Sequence, residues 1–394
     1  MRFSRGKLLF AAVPVIGGLG LLGAHWLWYS EEARINRIVA AFENGGARLE
    51  DLRRVDDELA SVERDALEKN LADYIGHGRL YKVIVGACGS GTSTAVRRSL
   101  RANRHDDGGP RGTLYYLCEP LPDFSRSFAE NCGYSRAEIS LGEAIMVKLG
   151  LASPRASDDD FLDHRKFWHM HLTHALCEAA KKYKQRHGYA PMLVIDAADK
   201  IAKNDEKLFL DLQDLAKSGA DGTCPFQLCF VASAGPVLPL LNSTSARSRQ
   251  SCVFEVDDIS DAEAVHYLMN AYKIPQDTAQ ELVETVTGGR FALLNQAADA
   301  IIRNRTVKYI RDVHYKTTDE TIIDLGVPVN NDLFKILVKK KCYDTNEARK
   351  LKGMDAEILD ELVKKGIIAI HPNLTYTFES RHVETFFASE LSSL

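Results

Sequence analysis

The chain has little net charge for its size: 50 basic and 54 acidic side chains leave −4 over 394 residues. That balance excludes a uniformly basic surface of the kind that bulk nucleic-acid binding uses, and leaves only local patches. No two of the eight cysteines stand in Cys-x-x-Cys spacing, which excludes a zinc ribbon and a thioredoxin-type dithiol. Several cysteines sit inside apolar runs, as in Leu228-Cys229-Phe230 and Cys252-Val253-Phe254, and read as reduced core thiols. Proline and glycine are too few, at 12 and 27, for a collagen-like or low-complexity chain. What remains is a folded protein with 45% hydrophobic residues, long enough for two or three domains.

One segment lacks charge altogether. Residues 8–30 contain no Asp, Glu, Lys or Arg, and as a helix would span about 34 Å against a bilayer core of about 30 Å. Arg2, Arg5 and Lys7 precede the run, and Trp26, Trp28 and Tyr29 cluster at its far end, as interfacial aromatics do. We expect residues 1–30 to be an uncleaved single-pass membrane anchor or a targeting segment that is removed. A mitochondrial inner-membrane or endoplasmic-reticulum address suits it, with the rest of the chain in a reducing, ATP-containing compartment. Orientation is not readable, because Arg34, Arg37, Arg48, Arg53 and Arg54 follow the run. Residues 31–78 are charged and helix-prone, with apolar residues at spacings of three to five from Leu49 to Ile75. They read as a helical stalk whose residues 31–76 self-associate or dock a protein partner or, as the small number of heptads favours, as a helix packed on the following domain.

Tyr81-Lys82-Val83-Ile84-Val85 reads as a buried strand that runs into Gly86-Ala87-Cys88-Gly89-Ser90-Gly91-Thr92-Ser93, then into a helical stretch. Against G-x-x-x-x-G-K-[ST], Gly86, Gly91 and Ser93 match, and the lysine is missing: Thr92 takes its place. Glycines let backbone N–H groups curl round a phosphate, and the helix N-terminus adds its dipole. Gly86, Gly89, Ser90, Gly91, Thr92, Ser93 and Thr94 are the candidate phosphate-binding residues, with Ser93 as a Mg²⁺ ligand. Downstream, Pro191-Met192-Leu193-Val194-Ile195-Asp196 is an apolar strand ending in an acid, the Walker B pattern, so Asp196 is the second candidate metal ligand. Ala197 stands where many ATPases have a catalytic glutamate, and Asp199 is the candidate to polarise water instead.

Phosphate loop, Walker B acid, the polar strand end Phe230-Val231-Ala232-Ser233 and the later Thr287-Gly288-Gly289-Arg290-Phe291-Ala292-Leu293-Leu294 together resemble the AAA+/STAND class of P-loop NTPases. The similarity is to archaeal-type, origin-recognition-like and NACHT-like ATPases, and to P-loop NTPase domains of fungi and oomycetes, over roughly residues 80–300. Asp196-Ala197-Ala198-Asp199 is similar to the NACHT acid pattern, and Phe291 stands where the lid motif usually has proline. The resemblance implies a sensor role for Ser233, arginine fingers at Arg247 and Arg249, a second, nucleotide-contacting sensor at Arg290, and ATP or another nucleoside triphosphate with Mg²⁺ as cofactors.

The expected fold is α/β: a P-loop NTPase parallel sheet over 79–257, a helical lid over 258–327 and a winged-helix-like domain over 328–394. Strand segments at Thr113–Cys118, Phe226–Val231 and Cys252–Val256 alternate with helical stretches, as a doubly covered parallel sheet requires. A long helix over 159–186 puts His164, His171, His174 and Glu178 on one face, a weak metal pattern better read as a polar face. The lid is expected as helices Ala262–Tyr272, Asp277–Val286 and Phe291–Arg303. The last domain is expected as helices Asp332–Lys341, Thr345–Leu351 and Ala356–Lys365, then strands Ile367–Ile370 and Thr375–Phe378. Its lysines suggest nucleic acid, but Asp355, Glu357, Asp360 and Glu361 lie among them and favour a packing module. The sequence thus points to a membrane-anchored, nucleotide-binding switch or scaffold, a weak ATPase at most. The alternatives are a retired enzyme that serves as an assembly module, and a membrane-tethered nucleic-acid binder.

Overall fold

The apolar strand segments assemble into one sheet. β1 (Lys82–Gly86), β2 (Thr113–Leu117), β3 (Met192–Asp196), β4 (Gln227–Ser233) and β5 (Phe254–Val256) lie side by side in the order β2-β3-β4-β1-β5. The computed structural model describes residues 31–46, 62–102, 112–118, 124–134, 172–243 and 245–393. Every pairing is parallel, so each connection must cross over the sheet, and helices cover both faces. That is why the strands read as unbroken apolar runs rather than as alternating ones.

On one face lie α2 (Asp65–Gly76) and α3 (Thr92–Ala102), whose Leu71, Ile75, Val96 and Leu100 pack on Ile84, Val194 and Val231. On the other lie α1 (Glu31–Asn44), α4 (Phe124–Asn131), α5 (Thr173–His187), α7 (Glu206–Ala220) and α8 (Ala234–Ser243), around Val83, Leu193, Ile195 and Phe230. The short α6 (Asp199–Asn204) leaves the end of β3.

The stalk expectation is corrected for its described residues. Ile38, Val39 and Phe42 of α1 are fully buried in the main core, and Leu71 and Ile75 of α2 are buried against the sheet. The Gly45 carbonyl accepts the Tyr115 N–H at 3.1 Å, and Asn131 donates to the Tyr115 carbonyl at 2.9 Å, so both capped positions lie on the outer strand β2. The buried apolar residues of these two helices are used inside the core around the parallel sheet and are not free for self-association. The apolar run 8–30 lies outside the described residues. Among the described residues no helix is long and apolar enough to cross a membrane.

The lid follows β5. Its first helix, α9 (Asp261–Tyr272), opens with a reciprocal capping box between Ser260 and Glu263. Next come α10 (Gln276–Leu282), a π-turn over Val283–Thr287, α11 (Phe291–Ile302) and α12 (Val307–Asp324), gathered round Leu268, Leu282, Val286 and Leu294. The sequence reading did not mark α12. The last unit has α13 (Asp332–Lys340), β6 (Tyr343–Asp344), α14 (Thr345–Ala348), α15 (Ala356–Lys364), β7 (Ile368–Ile370) and β8 (Thr375–Phe378), with the sheet ordered β6-β8-β7. This is a winged-helix arrangement. Two elements of it were not foreseen: β6, which is only two residues long, and the closing helix α16 (Arg381–Ser393).

Candidate functional site

The phosphate-loop residues come together as the sequence pattern requires. Gly86 ends β1 beside Ser233 of β4, the loop turns through Gly89 and Gly91, and α3 starts at Thr92. Gly86 has no room for a side chain: a Cβ there would stand 2.1 Å from Thr92 Oγ1 and 2.9 Å from the Val256 carbonyl oxygen. Ser90 is fully buried, and its hydroxyl meets that of Thr92 at 2.8 Å. Two short hydroxyl side chains therefore close on each other in the loop where a lysine stem would start.

Ser93 Oγ donates to Asp196 Oδ1 at 3.0 Å, which joins the two Walker motifs across the ends of β1 and β3. Asp196 is 1% exposed. Its carboxylate also accepts the Ala197 N–H at 2.7 Å and the Tyr115 hydroxyl at 2.5 Å. Burial raises the Asp196 pKa, and the Tyr115, Ser93 and Ala197 hydrogen bonds oppose that shift. Burial, and next the Asp196 charge, push the Tyr115 phenol well above its ordinary value, so it stays protonated and donates. Arg97, one turn along α3, donates to the Tyr115 hydroxyl at 3.3 Å and to Thr94 Oγ1 at 3.2 Å. A hydroxyl and a carboxylate side by side are the hard oxygen donors that suit Mg²⁺.

A cavity of about 340 Å³ opens over this group, lined by the loop with Asp196, Asp199, Lys200 and Ser233. Asp199 Oδ1 accepts the Ser233 N–H at 3.2 Å, so Asp199 holds the end of β4 in place. Of the residues expected from sequence, Gly86, Gly89, Gly91, Thr92, Ser93, Thr94, Asp196, Asp199 and Ser233 line this cavity.

Ser90 is buried within the loop and does not line the cavity, and three other expected residues lie elsewhere. Arg290 does not line the phosphate cavity. It grips Asp258 through Nε and Nη2 at 3.2 and 3.1 Å, and Glu379 of the winged helix through Nη1 at 2.6 Å. Burial would lower its pKa, but the Asp258 and Glu379 carboxylates outweigh that and raise it. Its place is a second cleft, of about 290 Å³, between core, lid and winged helix. That cleft also takes in Ala87 of the phosphate loop, and here the Arg290 guanidinium is held by the two carboxylates. Arg247 and Arg249 lie on a 3₁₀ turn, where the Arg249 carbonyl accepts the N–H of Tyr81, at the end of β1 opposite Gly86. Arg249 is paired with Asp221. Neither arginine reaches the cavity of its own chain.

Half of the histidine-helix pattern cannot be placed. His164 and His171 lie outside the described residues, His174 is exposed, and Glu178 is paired with Lys181 at 2.7 Å. Among the described residues no cluster of His, Cys, Asp and Glu is suited to a metal.

Sequence reasoning missed Tyr115, Arg97, Lys200 and the seat of the lid. Ala292 N, at the start of α11, donates to the Gly89 carbonyl at 3.1 Å, and the Phe291 ring lies against Gly91. The lid thus rests on the outer side of the phosphate loop. Only the position of Lys200, four residues beyond Asp196, was available as a signal.

No protein-family model matches the chain, and no curated protein is similar to it. Solved structures are. The Walker-type ATPase PABY2304 of Pyrococcus abyssi aligns over 84% of this chain and 97% of its own, at 14% identity and a TM-score of 0.53. The ORC2 protein of Aeropyrum pernix aligns over 86% and 98%, at 12% identity and a TM-score of 0.43. Cdc6p of Pyrobaculum aerophilum aligns over 85% and 96%, at 14% identity and a TM-score of 0.38. The last two overlays are too loose to say more than that they exist. With the phosphate loop, the Walker B acid and the sheet order in hand, the first overlay leads to one conclusion: the chain shares the α/β fold of that protein, a parallel sheet of P-loop type.

Proposed function

We propose that this chain is a nucleotide-binding switch, anchored to a membrane by residues 8–30, that hydrolyses its nucleotide slowly or not at all. The observation that carries the reading is the Ser93–Asp196 hydrogen bond beneath a glycine loop that opens on a cavity. The loop N–H groups and the α3 N-terminus would hold the phosphates of ATP or another nucleoside triphosphate. Ser93 and Asp196 would hold Mg²⁺, which neutralises phosphate charge when bound. Turnover is weakened at three points. Thr92 brings no charge, Ala197 brings no base, and Asp199 is occupied by the Ser233 N–H.

Because the lid rests on Gly89 and Gly91, a phosphate that shifts the loop would shift the lid, and Arg290 carries that to the winged helix. A phosphate-release assay on the native chain tests the slow-turnover part: the expected rate is far below the usual 1–100 per second of kinases, and fast turnover that Asp196→Ala abolishes would overturn it.

A second reading is an assembly module with a retired site. The Ser90–Thr92 hydroxyl pair, which fills the foot of the lysine position, favours it. The nucleic-acid reading is weaker. Val363 of α15 is seated against Gly235 of α8, so part of the helix that a winged helix offers to DNA is turned to the core. Lys341, Lys350 and Lys364 are each paired with a carboxylate. Placement in the inner mitochondrial membrane or the endoplasmic reticulum belongs to this proposal; buried free thiols at Cys118, Cys132, Cys224 and Cys229 suit a reducing compartment for the core.

A further inference from the structure

The phosphate cavity lacks its lysine at position 92 but does not lack a cation. Its lining contains one basic side chain, Lys200, from the first turn of α6. Three features single out this residue. It is exposed, and among the described residues it has no carboxylate partner; its ammonium group donates only to the Cys118 carbonyl, at 3.1 Å. Other lysines of the chain do have such partners, as with Lys181 and Glu178 or Lys350 and Glu347. Second, Lys200 is delivered by a turn in which Ala197 takes a left-handed φ of 56°, and the Lys200 N–H closes that turn on the Ala197 carbonyl at 3.0 Å. A non-glycine residue in that region stores strain, and such outliers gather at ligand sites. Third, the turn is held at both ends, by the Asp196 carboxylate on the Ala197 N–H and by Asp199 on the Ser233 N–H. Lys200 therefore stands on a fixed base with a free stem.

We propose that Lys200 is the phosphate-binding cation of this cavity, taking the charge role left open by Thr92. The proposal rests on the nucleotide reading above. A lysine acts as a point charge on a flexible four-carbon stem, so its origin on α6 rather than α3 matters less than its reach. Exchange of one weak neutral acceptor, the Cys118 carbonyl, for phosphate oxygens would make a charge-assisted bond. Occupied and empty cavities would then differ in where the Lys200 stem points.

The test is calorimetric titration of the full-length chain with Mg-ATP. The core incorporates α1 and α2, so a chain cut at residue 78 would not serve. Native, Lys200→Met, Lys200→Arg and Thr92→Lys/Lys200→Met chains are compared, with thermal melts to confirm equal folding. The expected result is saturable binding by the native chain, a loss of roughly tenfold or more in Lys200→Met, near-native binding by Lys200→Arg, and recovery in the double variant. On the native chain, Mg-ATP should also protect Lys200 from amine acylation, read by peptide mass. Native binding that Lys200→Met leaves unchanged, with Lys200 unprotected, overturns this proposal alone. Absence of binding by the native chain overturns it together with the nucleotide reading.

Discussion

The two clefts of this molecule use charge in opposite ways. The phosphate cavity carries few charges: Asp196, buried and satisfied by three protein donors, Asp199 on the Ser233 N–H, and one cation, Lys200, held by a carbonyl. The cleft around Arg290 is crowded with opposite charges that answer each other. Arg290 pairs with Asp258 and Glu379, Arg381 with Asp261, His371 with Glu255, and Lys341 with Glu384. A site that must accept an anionic ligand leaves its cation without an acidic partner, whereas a joint between domains pairs its charges. On the proposed function, the first cleft binds the ligand and the second docks the domains.

The contrast is open to attack at several points. The largest effect is expected from Arg290→Ala, which leaves Asp258 and Glu379 facing each other at a buried joint. It should cost about 3 kcal/mol, seen in urea unfolding as an earlier transition of lid and winged helix, with nucleotide affinity changed far less. Gly86→Ala should do the reverse. Its methyl meets the Val256 carbonyl, and a cost of about 2 kcal/mol in the core should come with loss of nucleotide binding. If both variants acted on both readouts alike, the two clefts would be one unit and the contrast would fail.

Tyr115→Phe comes next. It removes one donor from buried Asp196, which should raise the Asp196 pKa further and cost about 1–2 kcal/mol at neutral pH, with less cost in acid. A stability difference that does not shrink as pH falls would contradict the hydrogen bond as the cause.

The smallest effect is a pH profile of the joint. Hydrogen bonding to Glu255 raises the His371 pKa, burial opposes this, and Asp257 and Glu379 add to the rise. The contribution of His371 is fully present below its unfolded value of about 6.5, and is lost as pH rises through the folded value. Burial, then the charges of His314 and Arg290, push His382 down to about 4. Its contribution has the opposite sign: present above about 6.5 and lost as pH falls toward that lower value. His371→Gln should therefore flatten the alkaline side of the lid and winged-helix transition, and His382→Gln the acid side. The His371 effect should be worth about 1 kcal/mol or less, since the His371–Glu255 pair is a quarter or more exposed. The absence of either change in the pH curve would remove that pair from the account.

The difference between the clefts also explains what was legible beforehand. Gly86 to Ser93 is a contiguous pattern, and Asp196 ends an apolar run, so both could be read residue by residue. Arg290 could not, because its partners come from residues 258 and 379, and only the folded lid brings them together. Tyr115 depends on register: it pairs with Val194, which puts it diagonally beside Asp196 on the same sheet face. No single strand carries that information. The helices of 31–76 looked like a stalk because amphipathic spacing shows that a face is buried and not against what. The winged helix was legible in its helices and hairpin, yet β6 is too short to give a period, and α16 follows the β8 strand with no helix-start signal that was recognised.

The central claim is that the phosphate loop is a working pocket rather than a relic. Equilibrium binding of a fluorescent ATP analogue to the full-length chain, with Mg²⁺ present, in native and Asp196→Ala forms, tests it most directly. The account predicts saturable binding by the native chain that Asp196→Ala weakens strongly. Absence of binding by the native chain, with binding gained on Thr92→Lys, would contradict it and identify a site that has lost its nucleotide.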